Sequence, residues 1–227
     1  MLTIALPKGR VLRAVAPLLV QAGADAASLL SDDRSLVREM PAAGLRLLLL
    51  KPDDVPTYVE YGAADLGVCG RDVLLERPVD LYQPLDLDVG RCRIIVAGLT
   101  GRPRPTGVPR VATKYPRIAA EYFARRGVQA EIINVHGSVE LAPVVGLADL
   151  IVDIVETGAT LAQNGLEERE EVARISSVLV ANRAVYKLRH QRVRGFIEAI
   201  RPPPRQPPAP PPPAAAQGRG GRAGAGA

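Results

Sequence analysis

Tryptophan is missing from this 227-residue chain, and phenylalanine, histidine and cysteine occur twice each. Two Phe and six Tyr offer little flat surface on which bases could stack, which argues against a nucleic-acid binder. Cys69 and Cys92 lie in apolar, strand-like runs with no CxxC or Cys/His neighbour, so buried thiols in a reducing compartment are the expectation. His136 and His190 have no metal-spaced partner, and no Ser-His-Asp or Cys-His arrangement is found. No apolar run approaches the roughly 20 residues of a membrane span. The opening MLTIALPKGR places its cations after a short apolar stretch, the reverse of a secretory signal. The expectation is a soluble cytoplasmic protein that contacts neither nucleic acid nor membrane.

Acid is absent from the last 26 residues, which hold 9 Pro, 7 Ala, 5 Gly, 3 Arg and 2 Gln and have no apolar periodicity. Residues 202–227 are therefore expected to be a disordered tail. Removing its three arginines from a formal charge of +5 leaves about +2 for the body, so the pI near 9.5 does not describe the folded part. At 47% hydrophobic residues, that part can bury one large or two modest cores.

Short strands alternate with helices along the body, a pattern that yields parallel sheets. Strands are expected at Leu2–Leu6, Arg46–Lys51, Leu66–Cys69, Arg93–Leu99, near Val111, at Ala130–Val135 and at Arg174–Val180. Helices are expected after Arg10 with a kink at Pro17, from Asp54 to Gly62, after Gly70, from Pro116 to Arg126, from Ser138, and from Val185 to Ile200. This predicts two α/β lobes: residues 1–90 with 175–201, and residues 91–174. Their cleft would hold the ligand.

Residues 151–161, IVDIVETGATL, carry the strongest chemical signal. An apolar strand passes through a Gly-containing turn into a helix start, which aims several backbone N–H groups at one point and suits a phosphate. Thr157 and Thr160 add hydroxyls. Asp153 and Glu156 at the rim are placed to accept from vicinal hydroxyls or to hold a divalent metal. Thr and Gly also cap ordinary helices. However, Asp153 interrupts an apolar run, where a carboxylate needs a partner. Phosphate plus diol suggests a phosphorylated ribose.

Five segments occur in order: LPKGR (6–10), DVPTYVEYGAADLGVCGRDVL (54–74), LDLDVGRCRIIVA (85–97), VATKYP (111–116) and HGSVELAPVVGLADLIVDIVETGATL (136–161). Together, over residues 1 to about 200, they resemble the catalytic chain of ATP phosphoribosyltransferase, the first enzyme of histidine biosynthesis. The resemblance implies transfer of 5-phosphoribosyl from phosphoribosyl pyrophosphate to N1 of ATP, with Mg²⁺ present. It also implies a two-lobed fold like a type II periplasmic binding protein. On this resemblance Asp153, Glu156, Thr157, Gly158, Ala159, Thr160 and Leu161 bind phosphoribosyl pyrophosphate. Lys8, Gly9, Arg10, Asp72 and Glu140 line the nucleotide region, although Asp72 equally suits a helix N-cap and Glu140 a first-turn acid. Arg34, Lys51 and Lys8 are the candidates for catalysis, with Arg34 stabilising the departing pyrophosphate, and no dedicated protein metal site is expected.

At Lys51, shorter family members often carry Arg, so the charge survives here and the bidentate fork does not. A body ending near Arg201 fits the short form, which implies a histidyl-tRNA synthetase-like regulatory subunit and a homodimer within a hetero-oligomer. Two rivals stand beside this reading. One is a solute- or effector-binding module of the same fold, and the other is a phosphoribosyltransferase acting on another base.

Overall fold

The computed structural model describes residues 1–31 and 33–202. The expected disordered tail, apart from Pro202, lies outside them. Six strands form one sheet: β1 (Leu2–Pro7), β2 (Val37–Met40), β3 (Leu45–Leu50), β4 (Leu66–Gly70), β5 (Tyr82–Asp86) and, much later, β11 (Ser177–Ala181). A second sheet contains β6 (Cys92–Leu99), β7 (Arg110–Thr113), β8 (Glu131–Asn134), β9 (Leu150–Val155) and β10 (Leu166–Ile175). Their spatial orders are β2-β3-β1-β4-β11-β5 and β10-β6-β9-β7-β8. The chain leaves the first sheet after Asp86 and returns through Ser176, so two short crossings join the lobes. In the first crossing Asp88 and Gly90 take positive φ values of 55° and 61°.

Nine α-helices are described: α1 (Arg10–Gln21), α2 (Ala26–Leu30), α3 (Val55–Glu60), α4 (Arg71–Glu76), α5 (Pro116–Arg125), α6 (Leu141–Val144), α7 (Ala159–Gln163), α8 (Arg183–Leu188) and α9 (His190–Ala199). Helix α1 buries Leu12, Val15, Ala16, Leu18 and Leu19, the stripe expected from 3.6-residue periodicity, and runs on through the exposed Pro17. The core of the first lobe packs these residues against Ile4, Leu6, Leu47, Leu66 and Leu179 of the sheet. Strand β1 is almost wholly buried because it lies between β3 and β4 with helices covering it.

The sheets are mixed, which corrects the expectation of parallel ones. Strands β1, β3 and β4 are parallel, as are β7, β8 and β9, but β2, β5, β6, β10 and β11 all pair antiparallel. The single strand expected over Arg174–Val180 is two strands in different sheets, divided at Ser176. The single helix expected over Val185–Ile200 breaks at Arg189, which sits at φ −114° and ψ 30°. The helix expected from Ser138 begins at Leu141, because Ser138 has a φ of 47° that no helix continues. Cys69 and Cys92 are free and buried.

Candidate active site

Parallel strands β7 and β9 are neighbours in the second sheet, with Thr113 opposite Val152, so the turns that follow them emerge at one edge. The turn after β9 carries the sequence signal. Gly158 sits at φ 80° and ψ 0°, a left-handed conformation that reverses the chain into α7. The opening N–H groups of a helix have no partner within it. Here that of Ala159 makes only a long 3.4 Å contact with Thr157 Oγ1. Thr157, Ala159 and Thr160 are exposed, and Gly158 is half-buried. A cavity of about 300 Å³ is lined by Arg10, Glu140, Asp153 and the whole turn from Glu156 to Leu161. Leu161 itself is buried and anchors α7 to the core.

Asp153 is half-buried. Its Oδ1 accepts the Ile154 N–H at 2.8 Å, and no side-chain cation pairs with it among the described residues. Burial raises its pKa and the Glu140 carboxylate adds to the rise, while the Ile154 N–H bond and the Lys114 ammonium pull it part of the way back. Among the described residues Asp153 thus has one hydrogen bond and the more distant attraction of Lys114, leaving lone pairs for an incoming donor or cation. Glu156 is exposed and ion-paired with Arg10 at the start of α1, a contact that joins the two lobes across the cavity.

The remaining predicted residues spread along the facing edge of the first sheet. Pro7 and Leu50 are in register at the ends of β1 and β3, and the Lys8 N–H bonds the Leu50 carbonyl at 2.9 Å, so Lys8 and Lys51 follow side by side. Both are exposed. Gly9 takes a φ of 83° in that turn. Lys8 and Gly9 line a separate hollow of about 310 Å³ with Ser31, Asp33 and Arg38. Arg34 lies on the exposed loop between α2 and β2, makes no hydrogen bond or ion pair with a described residue, and lines neither cavity.

Asp72 is in the first turn of α4, where Gly70 is the N-cap, so the N-cap reading is not borne out. Its Oδ2 accepts from Tyr115 Oη at 3.2 Å, and burial raises its pKa. Burial, with Asp72 and Asp153 beside it, pushes the Tyr115 hydroxyl far up, so it stays a donor. Glu140 takes the position before α6 and makes no capping bond. Sequence reasoning gave no role to Tyr115 or to Glu76, whose carboxylate receives the Arg117 and Ile118 N–H groups at the start of α5. Only the segment VATKYP pointed towards the first. Of the two histidines, His136 is exposed at the rim of a cavity of about 360 Å³, and His190 packs edge-on to Tyr186.

The chain was compared with known proteins. A family described as HisG: ATP phosphoribosyltransferase matches residues 51–202. An ATP phosphoribosyltransferase of Sorangium cellulosum is 61% identical over 200 residues, covering 88% of this chain and 94% of the relative. One from Anaeromyxobacter sp. is 52% identical over 204 residues, covering 88% and 92%. Among solved structures, the ATP phosphoribosyl transferase (HisG:HisZ) complex from Thermotoga maritima superposes with a TM-score of 0.77 at 40% identity, covering 88% of this chain and 96% of that one. The periplasmic aliphatic sulphonate binding protein SsuA from Escherichia coli reaches 0.58 at 14% identity, with 88% and 70% coverage, a likeness of fold alone. The two-lobed architecture is therefore of the periplasmic-binding-protein type, and the chain belongs to the ATP phosphoribosyltransferase family, enzymes that carry out the first step of histidine biosynthesis.

Proposed function

We propose that the cleft between the lobes binds phosphoribosyl pyrophosphate by its 5′-phosphate at residues 157–161 and transfers the sugar to N1 of ATP. The observation that supports this is the convergence of free main-chain N–H groups, two Thr hydroxyls and an under-partnered Asp153 in one cavity. Asp153 and Glu156 face the ribose hydroxyls, with Glu156 shared between the sugar and Arg10. Adenine N1 already carries a lone pair, so no protein base is required. The barrier lies in pyrophosphate departure from an oxocarbenium-like centre, where negative charge grows on the leaving oxygens. Lys8 and Lys51, adjacent at the facing sheet edge, supply positive charge there. Arg34 is the third cation assigned to this charge.

A divalent ion fits the donors present, because Asp153 and Glu140 are neighbouring carboxylates and Mg²⁺ commonly takes one or two such ligands with substrate phosphates completing its shell. When bound, Mg²⁺ neutralises charge on the diphosphate. Lys8, Gly9, Arg10 and Asp72 border the nucleotide, and the lobe limits are taken as 1–90 with 175–201, and 91–174. The Thermotoga HisG:HisZ complex supports a separate regulatory subunit, which the proposed reading takes as resembling histidyl-tRNA synthetase, with this chain a homodimer within the hetero-oligomer. A cytoplasmic location is proposed for such an assembly. Among the described residues no helix is long and apolar enough to cross a membrane.

The test mixes the full chain with ATP, phosphoribosyl pyrophosphate and Mg²⁺, removes pyrophosphate, and follows the adenine absorbance. A new chromophore with ATP and none with orotate or hypoxanthine is expected. Turnover of either other base, or binding without turnover, would sink the reading. Millimolar histidine should leave the lone chain active and inhibit it once the regulatory subunit is added.

A further inference from the structure

Helix α5 has no N-cap of its own. Tyr115 holds the N-cap position without a capping side-chain bond, and Pro116 supplies no N–H. The next two donors, Arg117 N–H and Ile118 N–H, instead meet Oε1 and Oε2 of Glu76 at 2.9 and 3.1 Å. Glu76 is the last residue of α4, which hangs on the six-stranded sheet, while α5 hangs on the five-stranded one. Both carboxylate oxygens are used, and no side-chain cation competes for them among the described residues. One residue earlier in α5's approach, Tyr115 bonds Asp72 of the same α4.

We infer that Glu76 is a positioning residue for the transfer reaction: its carboxylate caps α5 only when the lobes are together, and so holds the cleft in the binding-competent arrangement. This rests on the placement of the reaction between the two sheets. The lobes are joined by two short crossings, one containing the left-handed Asp88 and Gly90, so their relation depends on contacts such as this. Separating them uncaps a 10-residue helix and strands two donors. A cap of this kind shifts an equilibrium by roughly two- to thirty-fold. Apparent substrate affinity falls with the fraction of competent protein, whereas saturating substrates restore closure.

The prediction is a split between KM and kcat in the full chain. Glu76→Ala should raise KM for both ATP and phosphoribosyl pyrophosphate about tenfold, with kcat within about twofold of the parent. Glu76→Gln, which keeps one good acceptor and turns an N–H₂ towards the second donor, should fall between at about threefold. Spin labels on cysteines introduced at Tyr61 and Val128, both exposed and on opposite lobes, read the separation directly while the buried native thiols stay unlabelled. The ligand-free distance should lengthen or broaden in Glu76→Ala and return to the parent value when both substrates are added. A fall in kcat at constant KM indicates a merely structural role and overturns the inference, as does an unchanged label distance. A changed distance with parental kinetics overturns it differently, by removing the cleft as the place of reaction.

Discussion

Helices α5 and α7 start at the same edge of one sheet, after neighbouring parallel strands, yet their first turns are completed in opposite ways. The start of α5 is filled by the Glu76 carboxylate from the other lobe. The start of α7 is left open by the left-handed Gly158 and lines a cavity. Equivalent backbone donors therefore serve two purposes. A protein anion on one turn fixes geometry, and on the proposed reading the other turn offers the same donors to a substrate anion. The sequence difference is small: Tyr-Pro begins the filled helix, and Thr-Gly-Ala-Thr the open one.

On the proposed reading the α7 turn grips the sugar phosphate and cations on the facing lobe draw off the diphosphate. Arg34→Ala tests that division with the largest expected effect. Turnover should fall on the order of 100- to 1000-fold, as for loss of one well-placed donor to developing charge, with sugar-phosphate affinity unchanged in calorimetry. A normal turnover number would refute Arg34's role. Gly158→Val should weaken phosphoribosyl pyrophosphate binding on the order of 100-fold, because a β-branched residue at φ 80° is strained and the donors it positions are displaced. Circular dichroism checks that the variant still folds.

Thr113→Val probes the filled side. The Thr113 hydroxyl is fully buried, donates to the Val152 carbonyl at 2.6 Å and accepts the Tyr115 N–H at 2.9 Å, tying the approach to α5 to strand β9. Its loss orphans both groups and should cost about 2 kcal/mol in urea unfolding. An unchanged midpoint would show that the approach to α5 does not depend on this link to β9.

Asp153→Asn has the smallest effect on stability, with an informative sign. Burial raises the folded pKa of Asp153, so the folded chain binds this proton more tightly than the unfolded chain does. The stability it contributes is complete below the ordinary aspartate value of 3.8 and is lost as pH rises through the elevated folded value. The asparagine variant should melt a few degrees above the parent at pH 7, with the difference shrinking as pH falls, while its affinity for the sugar diphosphate drops. A lower melting temperature at pH 7 would mean that Asp153 has a stabilising partner in solution.

Much of this arrangement was legible in the sequence where the cause is local. The α1 stripe and the Gly158 turn both follow from spacing and backbone preference. Asp153 announced itself by interrupting an apolar run. Strands β2, β5 and β10 were missed because they sit at sheet edges, where Pro84 in β5 and the charged run from Glu167 to Glu171 in β10 are tolerated. Glu76 could not be read at all, since its partners lie 41 and 42 residues away and depend on how two lobes meet. Arg34 shows the converse. The family likeness singles it out, but Arg34 itself lines none of the cavities that hold the other candidates, although its neighbours Asp33 and Ser35 line the hollow beside Lys8.

The most direct test is a crystal structure of the chain bound to phosphoribosyl pyrophosphate. The account predicts the 5′-phosphate oxygens within hydrogen-bond distance of the main-chain N–H groups between Thr157 and Leu161, with the ribose diol at Asp153. A 5′-phosphate seated instead against Lys8 and Lys51, with the α7 turn empty, would contradict it.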